Sequence, residues 1–288
     1  MDLVLVLLLQ ALSGIASLVL VSLGLAVIFG MMRVVNLAHG EFLMLGGYAA
    51  IVSHNHGVPL WLGMAVVAPL VVGLVGLVVE RLIIRPLYGR IVDTMLATWG
   101  LSLLLVGIVT TVFGNTVSGI SAPFGSVAIG DFRTSGYELF LILVAVLLVA
   151  ATWAVLRFTD VGLIARGTMQ NPDMAAALGV NPDRVYAVTF AVGAALSGLA
   201  GALIAPLTGV VPTMGAAYIA KAFITVITGG AEIVAGTVSA STVLGSVATV
   251  GSFLTTPVLG EVALLLAAIV LLRLLPRGIT GRFFRGRV

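Results

Sequence analysis

Residues 3–30 contain no charged side chain and are long enough to cross a lipid bilayer as a single helix with tilt to spare. No other feature limits the fold so strongly. In hydrocarbon every backbone N–H and C=O must be paired within the protein, so such a run is either a helix or a strand of a closed barrel. Here the apolar residues are continuous, not alternating, and that excludes the barrel. Comparable runs follow at residues 60–84, 94–113, 137–156, 185–205, 236–253 and 259–275, with shorter ones at 37–53 and 216–228. Only 9% of the residues are charged, against about 25% in soluble domains. The expected fold is an all-α, polytopic transmembrane helical bundle of about nine segments, forming a single transmembrane domain over residues 1–288. Thirty-five glycines suit closely packed and locally broken helices.

Charge sets the orientation. The net charge of +3 comes from fourteen basic residues, all arginine except Lys221. In a membrane protein this excess marks cytoplasmic ends and does not indicate nucleic-acid binding. Arg33, the group Arg81, Arg85 and Arg90, the polar stretch 157–184, and the tail 276–288 with Arg277, Arg282, Arg285 and Arg287 all fall between or after apolar runs. These ends agree in sign if residues 216–228 cross inward, with the N-terminus outside and the C-terminus cytoplasmic. The outer loops are then His54-Asn55-His56-Gly57, the Gly/Ser-rich residues 114–136, and the turn at Pro257. Met1-Asp2 lacks the basic region of a secretory signal, so the first run is expected to stay as a span. With no cysteine there are no disulfides or thiolate metal sites, and His54 with His56 makes only half of a metal-ligand set, so no metal or cofactor is expected.

The stretch 157–184 is polar and punctuated, and it carries two matched helix starts. Asn171-Pro172-Asp173 supplies a capping oxygen, a first-turn proline and an acid at the positive end of the helix dipole. Residues 174–178 are good helix formers, and Gly179 suits a left-handed C-terminal cap. Asn181-Pro182-Asp183 repeats the signal and launches the next span. The sequence thus predicts a short separate cytoplasmic helix, the part a membrane subunit needs to receive force from a soluble partner.

Asn36-Leu37-Ala38-His39-Gly40-Glu41-Phe42 places ionisable groups at the start of a short apolar segment, where they face either a cavity or the membrane surface. Lys221 lies inside the other short segment, so Glu41 and Lys221 are candidates to neutralise each other. Each short segment also carries a glycine pair, Gly46-Gly47 or Gly229-Gly230, which suggests interrupted helices in two related halves beside a midplane pathway. Asn36, His39, Glu41, Thr213, Tyr218, Lys221 and Thr225 are the candidate pathway residues. Gly193, Ser197, Gly201 and Ala205 recur every fourth position and predict a small-residue packing face. No G-x-S-x-G, H-E-x-x-H or phosphate loop is present. A membrane-embedded hydrolase is thereby disfavoured, and a pump would draw its ATP hydrolysis from another chain. An ion-coupled secondary carrier would rely on Glu41 as its coupling acid, whereas the capped polar helix favours the ATP-driven reading.

Two long stretches carry a family resemblance. GLAVIFGMMRVVNLAHGEFLMLGGYAA and RGTMQNPDMAAALGVNPDRVYAVTFAVGAALSGLAGAL resemble permeases of the branched-chain amino acid and urea/amide ABC importer family, and the likeness extends over nearly the whole chain. The resemblance implies an inner-membrane, multi-pass permease that is not itself an enzyme. It also implies a second homologous permease subunit, two ATP-binding ABC subunits and a periplasmic or lipid-anchored substrate-binding protein. Carried over, Gly167, Gln170, Asn171, Pro172, Asp173, Ala175, Ala176, Leu178 and Gly179 belong to a coupling helix that docks into an ATPase groove. ERLIIRPLYGRIVDTMLATWGLSLLL, Met169-Gln170-Asn171 and residues 211–219 are similar to the urea branch, which makes urea or a short amide the expected substrate and a branched-chain amino acid the alternative. Lys221 and Gly229-Gly230-Ala231-Glu232 depart from the urea pattern.

Overall fold

The structure, a computed structural model, describes residues 2–129 and 132–283. Its helices, in chain order, are α1 (Asp2–Met32), α2 (His39–Asn55), α3 (Leu60–Leu87), α4 (Ile91–Phe113), α5 (Gly136–Phe158), α6 (Asp160–Gln170), α7 (Pro172–Ala177), α8 (Pro182–Thr208), α9 (Met214–Gly229), α10 (Ile233–Leu254), α11 (Pro257–Leu274) and α12 (Gly278–Phe283). The residues after 283, including Arg285 and Arg287 of the tail, lie outside the described residues, as does the side chain of Arg282.

Among the described residues seven helical stretches are long and apolar enough to cross a membrane: those of α1, α3, α4, α5, α8, α10 and the stretch Pro257–Gly281. The expectation of about nine differs by α2 and α9. With 17 and 16 residues, each extends about 25 Å, short of the ~30 Å hydrocarbon thickness. Neither is interrupted. Gly46-Gly47 lies inside a continuous α2, and Gly229 is the last residue of α9. Irregularity appears instead in α3, which has π-helical turns at Gly63–Val67 and Glu80–Ile84 before a 3-10 turn at Arg85–Leu87. Pro86 supplies no N–H and so ends the ladder there.

A small hairpin departs from the all-α expectation. Strands β1 (Ser126–Ile129) and β2 (Phe132–Ser135) pair antiparallel, with Ser126 opposite Ser135 and Val127 opposite Thr134. Its sequence signal is Gly130-Asp131 between two short alternating runs, a pair of residue types suited to a two-residue hairpin loop. Residues 130 and 131 themselves lie outside the described residues.

The helices gather into two compact units. One comprises residues 23–120 and 151–220, and the other residues 1–22, 121–150 and 221–288. In the first, α2, α3 and α8 pack around Phe42, Val72, Phe190 and Ala194, with the Phe42 and Phe190 rings edge to face at 6.0 Å. Lipid gives helices no hydrophobic drive to associate, so close approach and dispersion must hold them. Small residues provide that approach: a Cβ on Gly201 would overlap the backbone of Leu43, and one on Gly46 would overlap the backbone of Gly198. In the second unit α10 and α11 pack around Leu18, Leu244, Leu264 and Ala268. There Thr280 donates to the Gly229 carbonyl at 2.7 Å and accepts from the Glu232 N–H at 3.3 Å, joining α12 to the end of α9 and the start of α10.

Candidate functional site

The chain leaves α1 through Arg33, which takes a left-handed conformation (φ 52) as its N–H closes on the Phe29 carbonyl. Asn36 then makes a local turn, its side-chain oxygen accepting from the Ala38 N–H at 3.0 Å. The Leu37 N–H donates to Thr98 of α4 at 3.0 Å. This turn sets the first residues of α2 inside the protein. His39 is fully buried, with Nε2 2.9 Å from the Ser197 hydroxyl on α8. That hydroxyl also donates to the Gly193 carbonyl. With a single hydrogen, the hydroxyl donates to one of these two partners at a time, and the His39 tautomer sets which way the Ser197–His39 bond runs.

Glu41 is also inside, 3% exposed. One carboxylate oxygen accepts from the Ser102 hydroxyl of α4 at 2.5 Å, and the other has no hydrogen-bond partner among the described residues. Gly215, the second residue of α9, lies so close that a Cβ there would overlap the carboxylate. Neither His39 nor Glu41 snorkels to a surface. Glu41 takes part in none of the ion pairs among the described residues. A buried carboxylate with one open oxygen is costly and marks a functional candidate.

Lys221 is paired, but with Glu261 of α11 at 2.5 Å and not with Glu41. Lys221, Glu261 and Thr225 all belong to the second unit. The Thr225 hydroxyl is buried and donates to the Lys221 carbonyl at 2.8 Å. In the first unit Thr213 is exposed in the turn before α9, and Tyr218 packs beside the cluster of Met44, Tyr48, Val210 and Met214. Among the described residues no three histidine or acidic side chains gather as a metal site. Both His54 and His56 turn Nδ1 toward backbone carbonyls, of Val58 at 3.3 Å and Val52 at 2.8 Å.

The polar stretch forms two helices where one was expected. Helix α6 precedes α7, and the Thr159 hydroxyl caps it by accepting from the Gly162 N–H at 3.1 Å. Asn171 caps α7 by accepting from the Met174 N–H at 2.9 Å, and Asn181 caps α8 by accepting from the Arg184 N–H at 3.2 Å. Helix α7 ends with Gly179 at φ +88, the Val180 N–H bonding Ala175 O and the Gly179 N–H bonding Ala176 O. Together these bonds form the Schellman arrangement. Ala175 faces inward. Met174 is 58% and Leu178 79% exposed, and Gly167, Gln170, Asn171, Asp173, Ala176 and Gly179 are exposed beside them, with Pro172 half-buried. The turn therefore presents apolar side chains on a rigid, capped frame.

Sequence reading missed the partners of these residues. Ser102 sits in an apolar run with no periodic signal. Ser197 reads only as a small residue in a stripe. The ion pair between Arg85 and Asp183 joins positions far apart in the chain.

Residues 7–275 match the sequence family described as the permease component of the branched-chain amino acid transport system. The chain is 29% identical over 280 residues to the high-affinity branched-chain amino acid transport system permease protein LivH of Escherichia coli K12, covering 91% of each chain. It is 27% identical to the probable branched-chain amino acid transport permease protein LivH of Methanocaldococcus jannaschii, over 92% of this chain and 88% of that one. It is also 27% identical to the permease protein BraD of Pseudomonas aeruginosa, over 91% of each. No solved structure matches the chain.

Proposed function

Because the chain belongs to the family of branched-chain amino acid transport system permease components, we propose that it is the transmembrane permease subunit of an ATP-driven importer for branched-chain amino acids. The observation that carries this reading is the family match, which runs through every membrane-length helix. Relatives from bacteria and an archaeon carry the same substrate in their names. Branched-chain amino acids therefore replace urea or a short amide, whose support was confined to short motif details.

In this reading the chain sits in the inner membrane with a second homologous permease, two ATP-binding subunits and a substrate-binding protein. Helices α2 and α9 complete about nine crossings, with the N-terminus outside and the C-terminus cytoplasmic. The α7 turn, from Gly167 to Gly179, docks in an ATPase groove in the helix-in-groove manner. Asn36, His39, Glu41, Thr213 and Tyr218 are the candidate pathway residues of the first unit, and Lys221 and Thr225 those of the second. A zwitterion needs groups of both signs. The first unit holds Glu41 with one open oxygen, and the second holds Lys221 in its pair with Glu261.

The test is uptake by proteoliposomes holding the complete complex. Labelled leucine should accumulate only with ATP and the binding protein, and excess urea should not compete. ATP-dependent uptake of urea without leucine uptake would return the chain to the urea reading.

A further inference from the structure

The segment Arg85-Pro86-Leu87-Tyr88-Gly89-Arg90 has no part in the function so far. It closes the end of α3, and its side chains reach the first turn of α8. Arg85 forms an ion pair with Asp183, both side chains partly exposed. Tyr88 sets its ring edge-on to that of Tyr186 at a centroid distance of 5.2 Å. The Tyr88 hydroxyl donates to Glu80 at 2.5 Å, and Glu80 is fully buried within the π-helical turn Glu80–Ile84. Burial first, then that hydrogen bond, pushes the Tyr88 hydroxyl above the usual phenol range, so it remains a donor at physiological pH. Thr94 holds the far side of the segment, donating to the carbonyls of Arg90 at 2.8 Å and Leu87 at 3.2 Å.

Two physical features make this more than a surface ion pair. Asp183 stands at the positive end of the α8 dipole and Arg85 at the negative end of the α3 dipole, so each charge is favoured by its own helix as well as by its partner. Asp183 is also two residues past Asn181, the N-cap of α8, which follows the Gly179 end of the α7 turn by two residues. A push on α7 thus arrives at the α8 N-terminus, where Arg85 and Tyr88 are attached. Along the rest of their length α3 and α8 are in contact, and a Cβ on Gly76 would overlap Ala194. The π-turn beside Glu80 is the irregular point of α3, of the kind found at functional hinges.

We propose that Arg85 and Asp183, with Tyr88 against Tyr186, are the relay that carries displacement of the α7 turn into the π-helical turn of α3. They are positioning residues that touch neither substrate nor nucleotide. The proposal rests on the ATP-driven permease reading. Under it, the relay governs how much substrate moves for each ATP hydrolysed, while the amount of assembled complex is unchanged.

The experiment measures leucine uptake and ATP hydrolysis together in the reconstituted complex for wild type, Arg85→Gln, Asp183→Asn, the double variant and Arg85→Lys. Each neutral single variant should lower the leucine-to-ATP ratio about fivefold, the scale of one partly exposed charge pair. The double variant should be no worse than the weaker single, because both remove the same link. Arg85→Lys should recover part of the ratio. Unchanged ratios, or losses that multiply in the double variant, would overturn the relay. A fall confined to the yield of assembled complex would assign the pair to structure alone and overturn it too. Absence of ATP-driven leucine uptake in the wild type would instead refute the functional reading beneath it.

Discussion

Gly201 and Gly179 are the same residue type put to opposite uses, and they stand for two regions of the molecule. Around Gly201, helices approach until any Cβ would meet backbone, so glycine is there for the space it leaves. At Gly179 nothing lies within 4 Å of a Cβ, and glycine is there for its left-handed backbone. The first region is a packed wall that also buries His39 and Glu41. The second is an exposed turn held by caps and little else. Helix packing in lipid thus depends on fit between distant segments, whereas the exposed α7 turn depends on rules local to about ten residues.

The comparison can be broken from either side. The largest expected effect is on the packed wall. Gly201→Leu forces a side chain into the Leu43 backbone, at a cost of about 3 kcal/mol or more. It should abolish recovery of monodisperse protein in detergent, and normal yield with normal melting would show that the wall is looser than described. Next, Ala176→Arg should leave yield and melting unchanged while reducing ATP-driven leucine uptake roughly tenfold or more, because a charge is pressed into a packed interface. Wild-type uptake would remove the turn from the docking surface. Gly179→Val should cost roughly 1–2 kcal/mol through the left-handed backbone alone, lowering uptake with no change in yield, and Gly179→Asn should be milder. An equal loss for Val and Asn would mean that space, not backbone conformation, decides there. The smallest effect is expected from Asn171→Ala, at about 1 kcal/mol for a lost cap. It should appear as faster amide exchange in α7, and unaltered exchange would show that the cap is redundant.

The same contrast explains what the sequence made legible. The membrane-length helices, both asparagine caps and the left-handed glycine follow from apolar length and short-range backbone chemistry, and they could be read directly. Read from those same signals, Gly46-Gly47 looks like a helix break, yet α2 runs through it because the pair is used for contact with Gly198 and Val210. The partners of Glu41, Lys221 and Asp183 were not legible, since Ser102, Glu261 and Arg85 reach them from 40 to 98 positions away along the chain. Charge alone suggested a Glu41–Lys221 pair, and geometry assigned each residue a different partner. The hairpin at residues 126–135 was not read from the sequence, where residues 114–136 look like a Gly/Ser-rich loop between helical signals.

The most direct test of ATP-driven coupling through the α7 turn is photo-crosslinking from a single engineered cysteine in this cysteine-free chain. A benzophenone reagent on Ala176→Cys, in membranes holding the complete complex, should give an adduct with the ATP-binding subunit whose yield changes when ATP is added. The same reagent on Val58→Cys, in the loop between α2 and α3, should give none. Adduct formation from Val58→Cys and not from Ala176→Cys, or no ATP-binding subunit attached at either, would contradict the account.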